Sequence, residues 1–276
     1  MKKIFIFAVA AAILGVASTS CLKRSKKDGN SLSEKADSVT LATYNDSITH
    51  YIMGDTSLPA FRINISLQYP YPNDTTKDAK KAKATFLTNV FGQEYAQFSP
   101  EAAVKNYIDN NINQYKSEVE SQATKNPKKI KSEVWMNYQT MISTETAYNQ
   151  RGIWSYTCTS YVYTGGAHGL QTTTCFVYDI YENAPINLAD IFSVENQPKI
   201  LELIKADIKN RDNSDIYWID QVTVSENFTV SEKGITWYYN PYEIAPYYVG
   251  ITEVTLPYSS ISQYIIEGSP VISIFK

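Results

Sequence analysis

The amino-acid sequence predicts an α+β fold in two modules, a small sheet with two helices followed by a mostly antiparallel sheet with one packed helix. Three observations carry that prediction. Residues 61–69 alternate apolar and polar side chains without interruption, the mark of a half-buried strand. Two following stretches, 77–91 and 100–119, space their apolar residues at helical intervals. From Val134 onward the two-residue rhythm returns, interrupted once by a helical stripe at 197–209. With 276 residues, 43% of them hydrophobic and 19% charged, the chain can bury a sizeable core in one large domain or two smaller ones.

In chain order the first element is a leader. Met1-Lys2-Lys3 is basic, the 14 residues from Ile4 to Ala17 are apolar, and Ser18-Thr19-Ser20 leads small side chains up to Cys21. That order is a secretion signal. As a helix the apolar run spans roughly 21 Å, short of the ~30 Å hydrocarbon core of a bilayer, which predicts a signal peptide over 1–21 and no lasting span. The ending resembles the lipobox of bacterial lipoproteins, which implies lipidation of Cys21 and a membrane anchor. Residues 22–39 are polar and nearly free of large apolar side chains, so they read as a flexible tether. In lipoproteins of the Bacteroides type, which this leader resembles, an acidic stretch after the cysteine marks export to the cell surface. Here Lys23-Arg24 and Lys26-Lys27 make it basic, which points to a cell envelope location facing the periplasm. Asp37-Ser38-Val39, Asp46-Ser47-Ile48 and Asp74-Thr75-Thr76 resemble the short O-glycosylation sites of that group.

The N-terminal module, 40–124, begins with the strand at 61–69, which Pro70 ends by removing a ladder donor. Ala79, Ala82, Phe86, Leu87, Val90 and Phe91 then form a helical stripe, with Gly92 placed at its end. Ser99 as N-cap and Pro100 at the first helical position open a second helix, whose stripe runs Val104, Ile108, Ile112, Tyr115, Val119. The polar, proline-containing run Lys125-Asn126-Pro127-Lys128-Lys129 is the expected boundary between modules.

The C-terminal module, 132–276, opens with Val134, Met136, Tyr138, Thr140 and Ile142 on one expected strand face and Trp154, Tyr156, Cys158, Ser160 and Val162 on the next. A further strand at 172–178 follows the glycine-rich loop 165–169, and the helix at 197–209 buries Ile200, Leu201, Ile204 and Ile208. Residues 222–230 and 235–239 are expected to form a hairpin across Glu232-Lys233-Gly234, and 249–256 and 271–275 the last strands.

Composition excludes several classes of function. The net charge is −3, and removing Lys2 and Lys3 with the leader lowers it to −5, which rules out the basic surface that nucleic acid needs. Only two histidines, His50 and His168, are present, too few for a multi-histidine metal site, and the glycines form neither a dinucleotide nor a phosphate loop, so no metal or cofactor is expected.

With Cys21 assigned to lipid, Cys158 and Cys175 remain as an even pair. A hairpin centred between Gly166 and Ala167 sets them opposite each other, where a disulfide would constrain the unfolded chain by about 3 kcal/mol. Two buried thiols are the other reading, because a one-residue slip sends the side chains to opposite faces.

Two segments stand out as candidate ligand-binding elements. In the loop Gly165-Gly166-Ala167-His168-Gly169 the glycines allow positive φ and open amides, and His168 can donate a hydrogen bond or take a proton near neutral pH. In 237–250, six aromatics and two prolines fall within fourteen residues, with Glu243 as a candidate binding carboxylate and Tyr242 and Tyr247 as stacking surfaces. A capped hairpin turn and core packing around a proline bend account for the same residues without a ligand.

The glycine-histidine loop, then Ile186-Asn187-Leu188-Ala189-Asp190-Ile191-Phe192, a helix, the tyrosine-proline stretch and Leu256-Pro257-Tyr258 resemble, over roughly 150–260, the extracellular domain shared by RsiV-type anti-sigma factors and PdaC-type peptidoglycan deacetylases. The α+β module before it resembles the domain that usually precedes this one. The resemblance implies an envelope-exposed, non-catalytic binding or sensing module, with a lysozyme-like secreted protein or a peptidoglycan fragment as partner. A hydrolase using carboxylates such as Asp179, Asp190 or Glu243 is the alternative from another class, and a purely structural envelope protein is the third.

Overall fold

Two sheets and a helical layer organise the described residues, 37–71, 77–123, 130–131 and 133–276 of a computed structural model. The leader with Cys21, the tether up to residue 36, the hinge at 125–129 and Asp74-Thr75-Thr76 lie outside them. Strands β1 (Leu41–Tyr51) and β2 (Ala60–Pro70) pair antiparallel. β2 then pairs in parallel with β3 (Tyr138–Gln150). Parallel neighbours require a crossover, which here contains α1 (Lys77–Phe91) and α2 (Pro100–Tyr115), the latter extended by a π-helical turn (Lys116–Glu120) and α3 (Ser121–Ala123). β4 (Ile153–Thr164), β5 (Leu170–Asp179) and the short β6 (Ala184–Pro185) continue antiparallel, so the six-stranded sheet runs in chain order.

The helices form where their caps and stripes specify. Ser99 Oγ accepts the Ala102 N–H at 3.2 Å ahead of α2, with Pro100 filling the first position. The odd-numbered residues of β2, Phe61 through Tyr69, are buried, and the first core joins them with Phe86, Leu87, Val104 and Ile108. Phe86 packs 5.9 Å from the Trp154 ring and 5.6 Å from that of Tyr156, which ties α1 to β4.

Several expectations need correction. The strand expected from Val134 starts at Tyr138, because Val134–Met136 is a 3₁₀ turn that leaves Val134 exposed. Asn137 makes the junction, donating to Val134 O at 3.2 Å and accepting the Ala60 N–H at 3.2 Å where the parallel ladder begins. The segment at 125–129 does not separate two modules, since β2 and β3 on either side of it are neighbours in one sheet. Ala36–Lys276 form one compact unit. Its two cores meet at β4: Trp154, Tyr156 and Cys158 enter the first from one face, and Ile153 enters the second from the other.

The second core lies between α4 (Gln197–Lys209), which buries Ile200, Ile204 and Ile208 with Leu201 partly covered, and a three-stranded sheet. That sheet is β7 (Phe228–Ser231), β8 (Gly234–Tyr239) and β9 (Thr252–Leu256), in that order. Residues 222–227 are not strand, and 271–275, expected as a strand, turn instead into α6 (Ile272–Phe275) after α5 (Tyr258–Ile261). A five-residue apolar run is too short for its periodicity to distinguish the two.

The proposed disulfide is absent. β4 and β5 pair Cys158 with Thr174 and Thr157 with Cys175, one residue from the expected register, so the two thiols face opposite sides of the sheet. Both are free and buried, and burial pushes the Cys158 thiol up to about 12 and the Cys175 thiol higher still.

The free edge of β5 is closed by side chains. Asn227 Oδ1 accepts the Cys175 N–H at 2.7 Å, and Asn227 Nδ2 donates to Thr173 O at 2.9 Å and Tyr238 O at 3.0 Å. Asn240 Oδ1 accepts the Thr173 N–H at 2.7 Å, and its Nδ2 donates back to Thr173 O at 3.2 Å. Two asparagines thus do for this edge what a further strand would do.

Candidate functional site

The same asparagine seam brings the two candidate segments together. Asn240 fixes the start of the tyrosine-proline stretch against β5, beside the loop that joins β4 to β5. Within that loop Gly165 has φ +78, and a Cβ there would lie 1.8 Å from Trp135 O, so only glycine fits. Gly166 meets no such obstacle; its nearest neighbour is His168 O at 3.9 Å. Gly169 has the Tyr161 ring where a side chain would go, 2.3 Å from Cζ.

The Gly169 carbonyl organises the surface. Tyr247 Oη donates to it at 2.6 Å, and His168 Nδ1 lies 3.0 Å away. A carbonyl only accepts, so Nδ1 carries a proton and Nε2 is left without a partner among the described residues. With both rings tethered to one oxygen, His168 stacks on Tyr247 at 3.9 Å between centroids and 26° between planes. Tyr242 follows, 5.8 Å from Tyr247 and 54% exposed. Its φ of +72, unusual for a bulky residue, is held by its N–H on Ala245 O at 3.1 Å. Tyr248, next in the chain, is 73% exposed.

Gly169, His168, Tyr242 and Tyr247 therefore converge, whereas Gly165 packs against Trp135 and Gly166 is exposed in the loop, 3.9 Å from His168 O. Glu243 is exposed, 3.4 Å from Asn240 Nδ2, and approaches the seam rather than the stacked rings. Sequence reasoning missed Tyr161, Trp135 and Asn240. Alternation along β4 does place Tyr161 on the face opposite Trp154 and Tyr156, but nothing in the pattern marks Asn240.

Two of the carboxylates expected of a hydrolase are bonded within their own turns. Asp179 accepts the N–H groups of Tyr181 and Glu182 at 2.8 and 2.9 Å, closing its own turn. Asp190 accepts the Asn187 N–H at 2.8 Å in a capping box. Among the described residues no three potential ligands gather for a metal ion, and no helix is long and apolar enough to cross a membrane. His50 lies elsewhere, its Nε2 3.1 Å from Glu120 in the π-helical turn.

Two segments of the chain match protein families. Residues 62–171 match the family described as deacetylase PdaC, and residues 189–259 match DUF3298, a family of unknown function. The first match spans the hinge, in line with the continuous sheet. No curated protein matches this chain. A solved structure of a DUF3298 family member from Bacteroides fragilis superposes with a TM-score of 0.75 at 25% identity, covering 86% of this chain and 98% of that one. A DUF3298 family protein from Pseudomonas aeruginosa shares the fold at a TM-score of 0.56 and 14% identity, covering 86% and 97%. The tandem PdaC-type and DUF3298-type segments suggest an extracellular or envelope protein whose function is open.

Proposed function

We propose that this chain is a lipid-anchored envelope protein, attached through Cys21, that binds cell-wall glycan without catalysis. The observation that carries the reading is the His168–Tyr247 stack clamped on the Gly169 carbonyl, with Tyr242 beside it. Sugar rings present flat C–H faces edged by hydroxyls, and a rigid, half-exposed aromatic surface with an unpaired imidazole nitrogen is complementary to both features. Because the rings are already fixed, little ordering entropy is lost on binding. Asp179 and Asp190 are committed to their own turns, which favours binding over carboxylate chemistry.

Calorimetric titration with purified muropeptides tests this. Saturable binding is expected, lost in His168→Ala and in Tyr242→Ala while the far-UV circular dichroism stays native. Unchanged affinity in both variants, or no muropeptide binding by folded protein, overturns it. A second reading is a protein ligand of the lysozyme kind, favoured by the exposure of Tyr242 and Tyr248, residues typical of protein hot spots. Titration with lysozyme in the same cell separates the two.

A further inference from the structure

The two edges of the six-stranded sheet are treated differently. On one side the short β6 covers only Tyr178 and Asp179 of β5, and the outward groups of Thr173 and Cys175 beyond it are taken up by Asn240 and Asn227. At β1, eleven residues long, no further strand lies alongside among the described residues, and the strand contains neither proline nor lysine, the usual protection of an exposed edge. Hydrogen bonds at both ends of the hairpin set the parity of its ladder: Tyr71 N–H to Thr40 O at 2.8 Å and Ile52 N–H to Pro59 O at 3.2 Å. Even-numbered residues of β1 therefore bond to β2, and Leu41, Thr43, Asn45, Ser47, Thr49 and Tyr51 point their N–H and C=O groups away from it.

We propose that β1 is the seam of a symmetric dimer, in which two copies of this chain pair antiparallel through β1 in a register centred on Ile48. Three features select that register. Ile48, 40% exposed at the open edge, meets its own copy across the two-fold axis, in the non-hydrogen-bonded position where side chains come closest. Asp46 of each copy then lies opposite His50 of the other, joining a carboxylate to an imidazole at both ends of the pair. Ser47 and Thr49, with backbone groups facing outward, exchange the central hydrogen bonds. A register centred on Asp46 would instead oppose two carboxylates, which disfavours it.

Cysteine trapping in the full chain, with Cys21→Ser as background, reads the register directly. Ile48→Cys places two Cα atoms about 4.5 Å apart across the axis, within disulfide reach. Asp46→Cys places them about 13 Å apart, beyond it. Under mild oxidation the expected result is a covalent dimer for Ile48→Cys and none for Asp46→Cys. Mixing Asp46→Cys with His50→Cys restores cross-linking. Sedimentation equilibrium supplies a second readout: Ser47→Pro removes an outward N–H and leaves the bonds to β2 intact, so the dimer dissociation constant rises about 10- to 30-fold, through two lost hydrogen bonds per symmetric pair. A wild-type chain that stays monomeric up to high concentration, or equal cross-linking at residues 46 and 48, overturns the proposal.

Discussion

Replacing Asn227 by alanine tests how the second sheet is held to the first. The carboxamide accepts from Cys175 N and donates to Thr173 O and Tyr238 O, at 2.7, 2.9 and 3.0 Å. Alanine removes all three bonds and leaves Cys175 N–H and Tyr238 O unpaired at a partly buried junction, while Thr173 O keeps its bond from Asn240. A hydrogen bond contributes about 1 kcal/mol net, and an unsatisfied group costs about 1–3 kcal/mol, so the expected loss of stability is about 3 kcal/mol or more. With a urea slope of about 3 kcal/mol/M, equilibrium unfolding should show the midpoint falling by about 1 M. Asn227→Asp keeps the acceptor but turns a carboxylate toward two carbonyl oxygens, and should be at least as damaging. Asn240→Ala, which loses two bonds to Thr173, should cost about 2 kcal/mol. A midpoint for Asn227→Ala within about 0.2 M of wild type would refute the claim that these bonds close the β5 edge.

Gly165→Ala forces a side chain into Trp135 O at positive φ and should destabilise by roughly 2–4 kcal/mol, whereas Gly166→Ala should be neutral within about 0.5 kcal/mol; thermal denaturation of both variants gives the contrast. Denatured without reductant, the protein should take iodoacetamide at both Cys158 and Cys175, and the folded protein at neither; a mass lacking two adducts after denaturation would restore the disulfide. Glu120 is held below its usual 4.5, since burial works against the charge but the Met53 N–H at 2.6 Å and His50 outweigh it. A depressed carboxyl stabilises the fold above 4.5, and that contribution is lost as pH falls through the lower folded value. Stability between pH 5 and 3 should therefore fall less steeply in Glu120→Gln than in wild type.

What was legible in the sequence was legible through period. The 61–69 alternation, the α1 and α4 stripes and the Ser99-Pro100 cap are local signals, and each element stands where they put it. β1 escaped notice because its inward face carries Tyr44, Asp46 and His50 among few aliphatic residues, so no apolar alternation marks it. The hinge misled because a polar, proline-containing run reads as a linker whether it joins two domains or lies within a crossover between neighbouring strands. The cysteine pairing failed on a single residue of register, the quantity that local patterning specifies least in a strand such as β4, which is buried on both faces near its start.

The site itself was half legible for a related reason. Each segment is compositionally odd, and the oddness located both the glycine-histidine loop and the tyrosine-proline stretch. Their meeting depends on Asn227 and Asn240, whose hydrogen bonds to a strand edge leave no periodic trace. On the proposed glycan-binding reading, recognition and stability are coupled through the seam. The aromatic stretch is anchored to β5 at Asn240, while the hairpin that carries His168 has its own β4–β5 ladder in the six-stranded sheet. Loosening the seam should separate Tyr247 from the Gly169 carbonyl and weaken muropeptide binding under conditions in which Asn227→Ala is still folded. Titration of that variant at low temperature, with circular dichroism confirming the fold, measures the coupling; wild-type affinity there would assign recognition to the hairpin alone and remove Tyr242 and Tyr247 from the binding surface.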